Sequence, residues 1–308
     1  MTQPVTRRRI LQFAAAATAG AATSAAALDP GFWKIWSDGQ AEVSSYDLTV
    51  PFESENRRGI AIAIFTADTF SNSLRIKAEP GKLAKTDEFP VMKFELLKDL
   101  QTGISNSHEQ LSAFLALAAV NGRAAGFATK IAFSRQGWQG SSYQQMLFDR
   151  TTIRASRHSA FDGDQQQEVQ YPPAATSADA LWFWARQMAE PFVKRGEFRL
   201  APVLTSLESR QAPQFKQSNF TRSPVNQKIT LPAGSFDVEL CTVQIEGDIR
   251  KFWVEREVPH RVIRWETSSG ERGQLLASER IKHWQMTGKG GEENLRRLKL
   301  LPRPPRTT

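Results

Sequence analysis

The most persistent pattern in the chain is alternation at period two. Ile60, Ile62 and Ile64 fall on one face of an extended segment, where β-branched side chains suit a pleated surface. Met92, Phe94 and Leu96 repeat the pattern within residues 90–103, and residues 127–138 (FATKIAFSRQGW) repeat it again. Residues 40–50 alternate in part and lead to Pro51, 55–59 (ENRRG) read as a turn, and 141–149 and 151–161 read as two further strands. Residues 109–120 are rich in Leu and Ala, which a helix accepts, but the Asn121-Gly122 turn behind them favours a hairpin.

The last third is the most regular. Segments 234–247, 248–257, 260–271 and 272–284 each alternate, and only a few residues around Gly247, Pro259 and Gly270 separate them. Connections that short require antiparallel neighbours, because a parallel pair needs a crossover of a dozen or more residues. Charged residues at alternate positions give this sheet one wet face. One segment has helical spacing instead. In 177–190 (SADALWFWARQMAE), Leu181, Trp184, Ala185 and Met188 form an i, i+3, i+4, i+7 stripe. Ser177 is an N-cap, Asp179 lies in the first turn, and Pro191 stops the helix. Trp182 and Trp184 are read here as packing residues. Residues 162–177 and 205–230 are polar and weakly patterned; the first reads as a loop and the second as a long connection with room for an edge strand. The pattern predicts a mainly β protein: a large antiparallel sheet with one helix at about 177–190. No internal repeat or clean linker divides it, so residues 28–288 are taken as a single domain.

Residues 1–27 stand apart. Arg7, Arg8 and Arg9 precede an alanine-rich apolar run, and Ala25 and Ala27 supply small residues at the −3 and −1 positions of a cleavage site. This is a signal peptide with cleavage expected after Ala27. The run is too short and too weakly apolar for a membrane span, and no second apolar span follows. Thr6-Arg7-Arg8-Arg9-Ile10-Leu11 resembles the twin-arginine translocation motif, which implies export of a folded protein to the periplasm or beyond. The partner is then the twin-arginine translocase, or the general secretory translocase if the arginines serve only as a positive n-region.

Charge changes little once it is divided. Removing residues 1–27 lowers the net charge from +8 to +5, and residues 289–308 contribute +4 of what remains. The body is therefore almost neutral, which sets nucleic-acid binding aside. The basic, proline-containing tail 289–308 reads as a solvated terminus.

Candidate chemistry is sparse. The four histidines are widely separated, so no metal-ligand spacing exists, and no phosphate-binding loop or nucleophile elbow occurs. No cofactor is expected. Cys241 is the sole cysteine and, within an apolar strand, reads as a buried thiol. The most site-like loop is 137–145 (GWQGSSYQQ), where Trp138 and Tyr143 accompany the hydroxyls of Ser141 and Ser142. Glycine-framed aromatics suit contact with an apolar ligand. A hydrolase with a dispersed site would draw on Ser141 and His158.

Two resemblances complete the reading. Leu276-Ala277-Ser278 followed by charged residues resembles the opening motif of the Maf septum-formation inhibitors. That motif heads a Rossmann-like domain, whereas here it lies inside a β-meander near the end of the chain, so the Maf reading is set aside. Residues 236–284 resemble the terminal part of exported bacterial families and the half-barrel of periplasmic lipoprotein-carrier proteins. The resemblance implies a strongly curved antiparallel sheet and a non-enzymatic carrier or binding role toward a lipid-like ligand or an envelope component. The alternatives are an exported hydrolase, or a structural envelope protein held by its basic tail.

Overall fold

The computed structural model describes residues 30–79 and 81–301. Arg7, Arg8, Arg9, Ala25 and Ala27 lie outside the described residues. After a short helix α1 (Pro30–Trp36), the chain forms eight strands: β1 (Ala41–Phe52), β2 (Glu55–Ser71), β3 (Glu88–Thr102), β4 (Ser105–Ala116), β5 (Ala128–Gly137), β6 (Gly140–Phe148), β7 (Thr152–Ser159) and β8 (Gln165–Gln170). Seven more follow: β9 (Thr176–Ser177), β10 (Phe198–Leu204), β11 (Phe215–Leu231), β12 (Gly234–Ile245), β13 (Asp248–Glu255), β14 (Val262–Thr267) and β15 (Arg272–Ile281). All fifteen belong to one sheet, ordered β8-β7-β6-β5-β4-β3-β2-β1-β15-β14-β13-β12-β11-β10-β9. Every pairing is antiparallel except the two-residue β9 against β10. The sheet is a single meander whose first and last strands pair, with Ala41 opposite Ile281 and Thr49 opposite Arg272. Its open seam lies in mid-chain, between β8 and β9.

The sheet wraps around the segment that leaves this seam. Residues 181–185 form a short helix, α2 (Leu181–Ala185), preceded by one turn of 3₁₀ helix. Within it Trp182 meets Tyr46 of β1, Phe94 of β3, Phe252 of β13 and Trp265 of β14, at ring-centroid distances of 6.0, 5.1, 6.0 and 5.1 Å. Trp184 meets Phe220 of β11 at 5.0 Å. One indole can touch β1, β3, β13 and β14 only if the sheet curves into a trough around it. The seam is bridged by side chains: Gln144 Nε2 donates to Leu207 O (2.8 Å) and Arg157 Nη2 to Gln211 O (3.2 Å). The β10–β11 connection thus reaches β6 and β7 without strand pairing.

Several expectations need adjusting. The helix expected over 177–190 is only five residues of α-helix, because the segment is buried on all sides and has no wet face to sustain an amphipathic rod. Residues 205–230, read as a long connection with room for an edge strand, hold all but the last residue of β11 (Phe215–Leu231), which is an interior strand paired on both sides. Residues 165–170, read as loop, form edge strand β8, which is exposed almost throughout. Pro51 lies within β1, and the hairpin turn falls at Glu53-Ser54. Residues 109–116 are strand, and the meander expected for the last third is present as β12–β15.

The tail also departs from expectation. Helix α3 (Glu293–Arg297) turns the chain back, and Leu298 and Leu300 pack with Ala41, Val43 and Ile281 on the convex face. Ile60, Ile62 and Ile64 lie on this face, together with Trp284 and Leu295. Ser45 Oγ donates to Leu298 O at 2.5 Å. The isoleucine stripe therefore marks a second, outer core roofed by the tail. Leu298→Ala is expected to cost about 2 kcal/mol in chemical denaturation, the low end of the range for leucine truncation because a surface site relaxes.

Candidate functional site: a filled trough and an apolar rim

The trough is closed from within by residues 171–195. At its start, Ser177 Oγ accepts from Asp179 N (3.2 Å), as its capping role requires. Every residue of α2 is buried. Arg222 Nη2 donates to the carbonyls of Trp184 (2.7 Å) and Ala185 (3.0 Å) at the end of α2. The same guanidinium pairs with Glu239 and donates to Cys241 Sγ at 3.1 Å. Burial, only partly offset by Arg222, pushes the Cys241 thiol up to about 12, so it holds its proton and has no nucleophilic character. One residue beyond α2, Arg186 makes a two-pronged bond to Glu42 (2.8 and 2.9 Å), reaches Pro259 O (2.9 Å) and lies 4.1 Å over the Phe65 ring. A surface hollow of about 450 Å³ opens beside this pair, lined in part by Lys34, Asp38, Arg261 and Arg280.

A second ionic cluster occupies the opposite end of the trough. Lys98 follows Phe94 and Leu96 on the inward face of β3 and is buried. Its Nζ lies 3.0 Å from Glu208, 2.9 Å from Glu271 and 3.9 Å from Glu109. Burial alone would lower its pKa, but the three carboxylates overcome it and raise it, so the ammonium stays charged. Beside it, Asp179 accepts from Ser206 Oγ (2.5 Å) and Leu207 N (3.0 Å), tying the interior segment to the β10–β11 connection. Burial outweighs those bonds and pushes the Asp179 carboxyl up to about 6. An acid whose folded pKa is raised binds its proton more tightly when folded, so stability falls as pH rises from about 4 to 6. Asp179→Asn is expected to remove this slope, worth on the order of 2 kcal/mol, as read from denaturation midpoints at the two pH values.

The four residues nominated from loop 137–145 do not converge. Strand β6 alternates them: Ser142 faces inward and is buried, while Ser141 and Tyr143 face out. Tyr143 donates to Gln145 Oε1 (3.1 Å), and Trp138 stands at the hairpin tip, 69% exposed. His158 pairs across from Tyr143, and its Nδ1 lies 3.2 Å from Asp164 Oδ2. No hydrogen bond joins Ser141 to His158 among the described residues, and Asp164 is 75% exposed, so this face lacks the buried orienting acid of a hydrolytic triad. Among the described residues no group of three or more His, Cys, Asp or Glu could hold a metal ion, and no helix is long and apolar enough to cross a membrane.

The buried ions were missed in the sequence, although each carries a signal: Lys98, Glu42 and Arg222 hold the same strand parity as Phe94, Tyr46 and Phe220. The other missed feature is the rim at the Lys98 end of the trough. Here the β1–β2, β3–β4, β5–β6 and β7–β8 hairpins turn, and each leaves one large apolar side chain in water. These are Phe52 (40% exposed), Ile104 (78%), Trp138 and Phe161 (45%). Phe161 is partly covered by the Arg210 guanidinium, 4.9 Å from its centroid. No family model matches the chain, and no curated protein or solved structure is significantly similar to it.

Proposed function

We propose that this chain is an exported, non-enzymatic binding protein that engages an envelope partner through its outer surface. The observation that carries the reading is the occupied trough. Phe183 and Trp184 are at most 1% exposed where a carrier would need a vacant apolar chamber. The internal segment supplies the aromatic contacts that a lipid-like ligand would otherwise make. The buried acids and bases favour binding over catalysis. Lys98, Arg186 and Arg222 are each committed to carboxylates, and the Cys241 thiol is held protonated.

Export rests on residues 1–27 and the twin-arginine resemblance of Thr6–Leu11. Cells producing the full chain with a C-terminal tag should yield a processed protein beginning at Leu28, recovered with the envelope fraction. Arg7→Lys/Arg8→Lys should leave it unprocessed in the cytosol. Wild-type chain found unprocessed in the cytosol would overturn the reading. So would a lipid-like mass carried on the purified protein in native mass spectrometry, because the trough would then be a ligand chamber.

A further inference from the structure

We infer that the envelope partner is a lipid surface, and that the four-hairpin rim inserts into the interfacial zone of a zwitterionic bilayer. This rests on the surface-binding reading above and names its target.

The geometry begins with topology. β1 to β8 are sequential antiparallel neighbours, so the turns after β1, β3, β5 and β7 all lie at one end of the sheet. Neighbouring strands are about 4.8 Å apart, which places successive hairpins about 10 Å apart and the row of four across about 30 Å. Turns normally carry Gly, Asn, Asp, Ser and Pro. Each rim hairpin departs from this by carrying one large apolar side chain in or beside its turn. Phe52 precedes Glu53-Ser54, Ile104 follows Gly103, Trp138 lies between Gly137 and Gln139, and Phe161 precedes Asp162-Gly163.

The spacing separates lipid from protein as the occupant. A protein interface needs a contiguous desolvated core and buries about 800 Å² on each side. Here single apolar side chains are set apart by polar turn residues. A fluid interface can wet each tip separately, and tryptophan favours that zone because its ring is apolar and its N–H is polar. Charge decides the kind of lipid. The four tip segments 51–57, 101–106, 136–141 and 159–164 contain no lysine, and their one arginine, Arg57, is 3.0 Å from Glu55. His158 faces Asp164. Arg57 and Arg210, the latter over Phe161, stand against Glu53, Glu55, Asp162 and Asp164, so the tips carry a net negative charge, attraction to anionic headgroups does not drive binding, and insertion supplies the affinity.

The test is flotation of the chain from residue 28 onward, which holds every described element, with phosphatidylcholine vesicles. The wild type should float with the vesicles, with little change on adding salt or anionic lipid. Trp138→Ser should weaken partitioning about tenfold, the effect of withdrawing one large apolar side chain from an apolar phase. Ile104→Ser/Trp138→Ser/Phe161→Ser should abolish it while leaving the melting transition in place. Brominated lipid should quench part of the wild-type emission and none of the Trp138→Phe emission, since Trp36, Trp182, Trp184 and Trp265 are buried and the half-buried Trp33, Trp253 and Trp284 lie outside the four rim hairpins. A wild type that does not float, a triple variant that floats as well as the wild type, or binding that requires anionic lipid would each overturn the inference. If the wild type fails to float yet still fractionates with the envelope in cells, the lipid surface is excluded and the surface-binding reading stands. Failure of both removes the reading itself.

Discussion

Replacing Arg186 by methionine is expected to destabilise the protein by about 3–5 kcal/mol, the cost of leaving one partner of a buried ion pair without the other. The side chains of Arg186 and Glu42 are 1% and 4% exposed, so neither can recruit bulk water when its partner is removed. Arg186 also joins three elements at once. It extends from the end of α2, binds both carboxylate oxygens on β1, and reaches the carbonyl of Pro259 in the β13–β14 turn. Lysine should not replace it, because an ammonium cannot make two parallel bonds and still reach that carbonyl. The control is Arg186→Met/Glu42→Gln. Removing both charges should recover at least about 2 kcal/mol of the loss, since buried pairs exchanged together for neutral groups are often close to neutral in energy. Urea denaturation of the four proteins in the cycle measures the coupling. Equal stability of the single and double variants would mean that Arg186 acts through its packing on Phe65 and not through Glu42.

This pair shows which parts of the molecule can be read from sequence. β12 to β15 are legible because two conditions coincide: apolar residues alternate, and the turns are too short for any connection but a hairpin. Ile60, Ile62 and Ile64 are legible as one face of a strand. Alternation does not say which side of a curved sheet that face lies on, and here it lies outside, under Leu298 and Leu300. β11 is legible only as room for an edge strand, because it has no single environment. Phe220 and Arg222 point inward, residues 223–225 break the register, and the remainder is half exposed. The length of the 177–190 helix is misjudged for a related reason. The stripe of Leu181, Trp184, Ala185 and Met188 is buried, but so are Trp182 and Phe183, and a segment wrapped by sheet needs no polar face. The nominated loop 137–145 dissolves because a strand sends neighbours to opposite sides. Only Trp138 retains a place in a site, through a turn position that sequence pattern treats as incidental.

Gly273→Ala is expected to cost about 3 kcal/mol, toward or beyond the upper end for adding one methyl group to a packed site. Gly273 is the direct cross-strand partner of Trp265, whose ring lies over it. A Cβ at Gly273 would stand 1.9–2.4 Å from Trp265 Cη2, Cζ3 and Cζ2, so the indole must leave its position. It has little room to do so. Trp265 packs edge-on to Tyr46 at 4.8 Å and to Trp182 at 5.1 Å, and its Nε1 donates to Glu271 Oε1 at 3.2 Å. Glu271 in turn holds Lys98. Displacing the ring therefore disturbs both the aromatic contacts of α2 and one carboxylate of the buried ammonium. Trp265→Phe removes the three atoms that the new methyl would strike. In that background Gly273→Ala should cost under about 1 kcal/mol, giving a coupling near 2 kcal/mol for residues in direct contact. If the alanine costs the same in both backgrounds, the glycine is needed for strand geometry, and the Trp265 ring is not what excludes a side chain there.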